Sequence, residues 1–525
     1  MKKGVIAAGD AQTAAAGAEI LERGGNAVDA AIAAVLASLS AESVMTNIGG
    51  GGLAIVGDIG SYEAAVYDFF VSMPSGVPSS SMDFHKIISD YGPEQVPLFI
   101  GRASAATPGL IPGLSRLVEK HGSTPLSVLL APAIKLAREG VVLSPPQAYV
   151  LDFLTPIYAD TPEITAMYAP NGLAWRAGER HSFPKLADTL TQLAAHGPSL
   201  FSDGAAAQAI AADQAANGGL ITAADLHDYQ VRETVPIQVR YRGLDLLLPP
   251  RPSSGGGLIA FALKLLESMD IKTYAHNQFE HIRVLAEVMR LTNVARPLWD
   301  APATSESERV ARFLSDENIA RYRQKLSAIL NGAQPPTEPA VPRESDHTTH
   351  ISVVDSQGSF AGITTTAGES AGFVVGDTGI CMNNMLGEAD LHPQGFHKLP
   401  PGERLTTMMS PTVLLQDGRP RLVLGSGGSS RLRGAIFQVI SNVIDFKMPL
   451  AEAVHAPRIH FEEGILQLEG GISERAAGSL RQKNYTVNCW PGLNMYFGGT
   501  HAVALESGRW AAVGDSRRGG TGLTV

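Results

Sequence analysis

Between residues 331 and 355 the chain changes its period, and that change decides what the rest can be. Upstream, the spacing of apolar residues predicts helices over about 258–268, 278–296 and 307–328. Asn331 to Pro342 then carries four prolines in a polar setting, the composition of an extended, exposed linker. It leads into Asp346-His347-Thr348-Thr349-His350-Ile351-Ser352-Val353-Val354-Asp355, where two threonines stand at the mouth of an apolar, β-branched run. Ser356-Gln357-Gly358 reads as a turn and Phe360 to Thr366 as a returning strand. Pairing across a short turn brings the outer ends of a hairpin together, so Thr366 is expected to reach Thr348. A chain cut after His347 would give Thr348 both an attacking hydroxyl and a free α-amine as its own general base.

The bounds exclude several classes of protein. A length of 525 residues allows two to four domains or one large interlocked α/β body. Only 18% of residues are charged while Gly and Ala abound, which suits a packed enzyme core and argues against disorder. The formal net charge of −10, with no block of Lys and Arg, offers no track for a phosphate backbone, so nucleic acid is not an expected partner. Cys381 and Cys489 cannot form a CxxC metal site, and a disulfide between them is unforced. The apolar run after Met1-Lys2-Lys3 is too short for a signal segment, and no window reaches the roughly 18 apolar residues of a membrane span. A soluble, cytoplasmic protein that does not engage membranes is the expectation.

In chain order, Asp10 and Asn26 read as N-caps of two helices separated by Gly24-Gly25. Gly49 to Gly52 precede a buried strand, and Asp68-Phe69-Phe70 close another. Helices are predicted over about 114–120 and 125–139. The Leu246 to Leu248 strand runs into a Pro-Ser-Gly rim, Pro249 to Gly257, which lacks the lysine of a phosphate loop. Further strands are expected at 379–382 and 413–415, and a helix over 434–446. Before that helix, Gly425 to Arg431 form a glycine loop between strand and helix, a geometry that aims backbone N–H groups at an oxyanion.

Taken together these stretches resemble the γ-glutamyltransferase family, threonine N-terminal-nucleophile hydrolases that mature by self-cleavage. The resemblance runs nearly end to end on ten motifs in one order: Gly24 to Ala31, Gly49 to Gly52, Thr107 to Gly109, Asn217 to Thr222, Pro252 to Gly256, Thr348 to Asp355, Asn383-Asn384, Met409 to Thr412, Gly425 to Arg431 and Ala456 to Arg458. It implies a four-layer αββα sandwich, cleavage between His347 and Thr348, and subunits 1–347 and 348–525 interlocked as one body, with scope for a higher oligomer. It implies Thr348 as nucleophile, Thr366 as its hydrogen-bonding partner, and Gly427, Gly428 and Ser429 as the oxyanion loop. No cofactor is implied.

The departures bear on substrate. Where glutamyl-specific members hold a carboxylate with arginine after Asp-Phe, this chain has Phe70. Their asparagine after the second threonine falls on Gly368, their acidic or amide residue on Met385, their aspartate on Glu388, and their paired serines on Thr407-Met408. Each lost charge-assisted hydrogen bond is worth roughly 1.5–3 kcal/mol. The segment Asp390 to Arg404 is also shorter than the lid of those members, implying an open or small site. This pattern resembles the amidohydrolase branch, with oxamate as the first substrate expected and Arg431 or Arg433 as the cation for its carboxylate. The alternatives are a γ-glutamyl hydrolase or transpeptidase and a glutaryl-cephalosporin-type acylase. A non-enzyme alternative is an uncleaved protein that binds a small acid.

Rival motifs are weaker. His347 and His350 lie three apart on a strand and so face opposite sides, which argues against a shared metal, and none is expected. Gly514-Asp515-Ser516-Arg517 faintly suggests a serine hydrolase, without the GxSxG elbow that would support it.

Overall fold

The computed structural model describes residues 3–58, 63–90, 95–170, 173–339, 347–392 and 394–525. The part of the linker from 340 to 346, Asp346 included, lies outside them; residues 331–339 before it are irregular and largely exposed.

Two antiparallel sheets form the centre. The first runs, edge to edge, Thr521–Thr524, Gly4–Ala8, Thr349–Asp355, Phe360–Thr366, Gly51–Asp58, Glu63–Phe69 and Arg232–Thr234. The second runs Arg509–Val513, Gly499–Glu506, Arg419–Gly427, Thr412–Gln416, Leu244–Leu248 and Ile237–Tyr241. In both, strands from before and after residue 347 lie in one sheet, and the predicted hairpin sits in the middle of the first.

Alternation along that hairpin builds the layers. Val354 joins Val5, Ala7 and Ile55 in a cluster with Val413, Val423 and Val503 of the second sheet. Ile351 and Val353 belong instead to the cluster formed with the helices Ala11–Glu22 and Ala27–Ala41. Period-two alternation thus places one face on the other sheet and one under helices. The helices Ser254–Leu266, Phe279–Asp300 and Arg431–Ile444 cover the second sheet through Leu258, Leu285 and Ile436, which pack with Leu246, Leu414 and Leu424. The fold is the expected four-layer αββα sandwich.

Local chemistry explains the helix boundaries. Asp10 accepts from the Gln12 N–H at 2.7 Å, and Asn26 forms a capping box with Asp29. Asp355 closes the hairpin turn through the N–H groups of Gln357 and Ser359 and also accepts from Ala27 N, pinning the turn to the second helix. Two predicted helices are broken. The 125–139 segment divides into Leu126–Leu129 and Ala131–Glu139, with Pro132 in the first turn of the second piece. The 307–328 segment divides into Glu306–Phe313 and Asp316–Leu330, because the Ser315 hydroxyl accepts from Asn318 N and starts a new helix. The helix predicted from Gly434 begins at Arg431, and that from 258 begins at Ser254, capped by Ser253 on Gly256 N. The strand expected at 379–382 is only Ile380–Cys381. Cys381 is buried, Cys489 is exposed, and both are free thiols. Among the described residues no helix is long and apolar enough to cross a membrane.

Candidate active site

The site is assembled at the open end of the hairpin. Thr349 pairs with Thr365 and His350 with Thr364, so Thr348 stands opposite Thr366 on the face turned to the second sheet. The Thr366 hydroxyl donates to the carbonyl oxygen of His347, the residue before Thr348. Its oxygen also accepts the Gly368 N–H at 3.1 Å, which fixes the direction in which the hydroxyl points. Thr366 is 5% exposed, so water does not compete for either bond. Thr366 thus bonds to the carbonyl oxygen of the residue before Thr348, where a bond to Thr348 itself was expected.

A cavity of about 40 Å³ opens on these residues. It is lined by Thr348, Thr366, Phe70, Glu388, Thr407, Met408 and Ser429, which the sequence reading proposed for the site, together with Met385, Leu391, Met409 and Leu432. The walls mix polar, mostly hydroxyl-bearing, and apolar side chains in about equal parts, with Glu388 the one carboxylate among the lining residues. Gly368 lies behind the wall with φ of +63°, and a Cβ there would come within 2.1 Å of Asn384 Oδ1 and Glu388 Oε1. Glycine is needed both for the left-handed backbone and for the room.

The glycine loop adjoins the nucleophile from the second sheet. The strand ends at Gly427, Gly428 and Ser429 turn with positive φ, and the helix starts at Arg431. A Cβ on Gly427 would lie 2.2 Å from the Thr348 carbonyl oxygen, so only glycine lets the two backbones approach this closely. Arg431 does not line the cavity: its guanidinium stacks 4.8 Å above the Tyr496 ring. Arg433 is directed to Ser430 O and Asn293 Oδ1 at a different pocket. Neither expected carboxylate cation is thus placed in the Thr348 cavity.

The two histidines face apart as expected. His347 Nδ1 lies 3.4 Å from Glu369 Oε1, both side chains fully buried. His350 lies between the Thr364 and Ser352 hydroxyls at 2.8 Å each, and burial, with His501 nearby, holds it well below the usual imidazole range. A neutral, fully hydrogen-bonded His350 is a core residue.

Behind Thr348 lies a pair of charges that sequence reasoning missed. Glu42 follows the helix Ala27–Ala41 and accepts hydrogen bonds from Thr349 Oγ1 at 2.6 Å and Thr13 Oγ1 at 2.7 Å. Burial, reinforced by the Asp10 charge, pushes its carboxyl up to about 7, against those two hydroxyl bonds and Arg518. Arg518 reaches to 3.5 Å from the Thr348 carbonyl oxygen, and burial, with Arg431 close by, lowers its guanidinium to about 10. Nothing in the local sequence marks Glu42; Arg518 follows the Gly514 to Arg517 run that resembled a different hydrolase.

Comparison with known proteins agrees with this architecture. The family model described as gamma-glutamyltranspeptidase matches residues 13–525. The acylase ACY 1 proenzyme of Pseudomonas sp. (strain V22) is 33% identical over 96% of this chain and 90% of its own length. The glutathione hydrolase proenzyme of Escherichia coli (strain K12) is 30% identical over 93% of this chain and 86% of its own. Cephalosporin acylase from Bacillus halodurans superposes with a TM-score of 0.84 at 24% identity, over 99% of this chain and 96% of that one, a likeness of fold. The chain belongs to the gamma-glutamyltranspeptidase family, whose N-terminal-nucleophile hydrolases act on amide bonds.

Proposed function

We propose that the chain is a self-processing threonine amidohydrolase, which cuts itself between His347 and Thr348 and then hydrolyses a small amide through an ester on Thr348. The observation that carries this reading is the hydrogen bond from the Thr366 hydroxyl to the His347 carbonyl oxygen in a continuous chain. That oxygen is where negative charge gathers when a neighbouring hydroxyl attacks the peptide carbonyl, so the donor sits where an oxyanion needs one.

In maturation the Thr348 hydroxyl adds to the His347 carbonyl carbon, the peptide C–N bond breaks, and the acyl group passes from nitrogen to oxygen. Water hydrolyses the ester, leaving a carboxylate on His347 and a free amine on Thr348, and the subunits 1–347 and 348–525 remain interlocked through the shared sheets. In turnover that amine takes the hydroxyl proton as the hydroxyl attacks a substrate amide, then returns it to the departing amine. The Arg518 cation near Thr348 disfavours a second positive charge, which keeps the amine in its basic form. Backbone N–H groups at Gly428 and Ser429 receive the substrate oxyanion. Water releases the acid; an amine that outcompetes water gives transfer instead.

For the acyl group, the small cavity and the loss of the arginine clamp at Phe70 favour a short chain, with oxamate as first choice. A second reading, a glutaryl or γ-glutamyl amide, is favoured by the wider cleft beyond Leu391 and by the similarity to an acylase proenzyme. Ammonia release from oxamate, set against 4-nitroaniline release from glutaryl and γ-glutamyl anilides, separates the two. Turnover of oxamate with little anilide cleavage supports the first; the reverse sinks it.

A further inference from the structure

Next to the Thr348 cavity, and sharing Leu391 with it, lies a second cleft of about 480 Å³. Its walls carry Arg232, Arg251, Arg296 and Lys398 against Asp300 and Glu403, on a chain whose net charge is −10. Asp300 is shared: Arg251 approaches one of its oxygens at 3.1 Å and Arg296 the other at 3.3 Å. A fifth cation on the wall, Arg404, is taken up by Asp68 at 2.9 Å and by the Gln230 carbonyl.

We infer that this cleft binds an organic carboxylate: the part of an amide substrate that projects past Leu391 from the Thr348 cavity carries the negative charge. The cations come from four separate places in the chain: Arg232 on an edge strand, Arg251 in the Pro-Ser-Gly rim, Arg296 within the helix Phe279–Asp300, and Lys398 in the segment before Arg404. Their convergence on one concavity beside a nucleophile suits a small anion, because cations gathered around a cleft focus their field on the ligand. Burial and the adjacent Arg309 guanidinium lower Arg251, a strain that a bound carboxylate relieves. Phe70 and the methionines of the Thr348 cavity supply no cation, so charge recognition moves next door. The link to substrate rests on the longer-chain form of the amidohydrolase reading, because the carboxylate of oxamate adjoins its amide carbonyl and stays within the Thr348 cavity; the affinity of the cleft for anions does not.

The anion can belong to the acyl side or to the leaving amine, and two probes distinguish them. Glutarate represents a charged acyl end and 4-aminobenzoate a charged amine; pentane-1,5-diol and aniline are their neutral counterparts. Calorimetric titration of the purified protein at low salt should show one of the two anions binding at least about tenfold more tightly than its counterpart, as one charge-assisted hydrogen bond allows. The Arg232→Glu/Lys398→Glu variant changes two exposed side chains. It should lose about tenfold or more of that affinity, and raising salt on the wild-type protein should weaken it as well. Equal binding of anion and counterpart in both pairs, or an affinity indifferent to both charge reversal and salt, overturns the assignment. A gel of the same sample reports cleavage separately, so anion binding by an uncut chain would retain the cleft and reject the amidohydrolase.

Discussion

Replacing Thr366 with valine removes one hydroxyl and keeps the branched shape, which isolates the donor to the His347 carbonyl. The wild-type hydroxyl, on a buried side chain, makes two bonds: it donates to His347 O and accepts from Gly368 N. Loss of a single oxyanion donor costs about 2.7–4 kcal/mol of barrier, or roughly 10²–10³ in rate. Loss of the Gly368 bond falls on the folded state and costs about 1 kcal/mol of stability, too little to unfold a chain of this size. Precursor freshly purified at low temperature, then warmed and sampled by intact mass, gives the rate of fragment appearance. Thr366→Val should slow cleavage at least about a hundredfold, while Thr366→Ser, which restores the donor, should stay within about tenfold of wild type. Cleavage of Thr366→Val within threefold of wild type, with its melting temperature little changed, would refute the role of the hydroxyl.

Two further outcomes follow from the buried charges. Glu42 carries a carboxyl raised from 4.5 to about 7, so between those values the unfolded chain ionises and the folded one stays protonated. Stability should therefore be full below about pH 4.5, fall by about 3 kcal/mol as pH rises to about 7, and level off above. Glu42→Gln should flatten that part of the pH profile of the urea midpoint; an unchanged slope rejects the assignment. Asp515 is fully buried between Arg458 at 2.6 Å and Arg517 at 3.1 Å. Burial alone would raise its carboxyl, but the two guanidiniums outweigh it and hold the group below the usual range. Asp515→Asn leaves the fully buried Arg458 with no charge partner in that pair and should cost about 3–5 kcal/mol, read from denaturant unfolding. A loss under 1 kcal/mol would contradict it.

What sequence made legible was local. The hairpin follows from alternation and a short turn, and its register places Thr366 opposite Thr348 without any distant information. The glycine loop at Gly427 to Ser429 was legible for the same reason, since strand, loop and helix are contiguous. Glu42 was not legible, because it meets Thr349 across 307 residues and its surroundings read as plain helix. Arg518 approaches Thr348 from 170 residues downstream. Arg431 shows the limit from the other side: a cation in the right motif, on the first turn of a helix, is turned onto Tyr496. Pocket walls such as Leu391 and Leu432 depend on how three or four segments converge, which no periodicity encodes.

The central claim is that this chain frees Thr348 by cutting itself, and intact mass of the purified protein beside its Thr348→Ala variant tests it most directly. The account expects two wild-type fragments, one ending at His347 and one starting at Thr348, and a single uncut chain for the variant. A wild-type protein that stays whole, or a variant cut at the same bond, would contradict it.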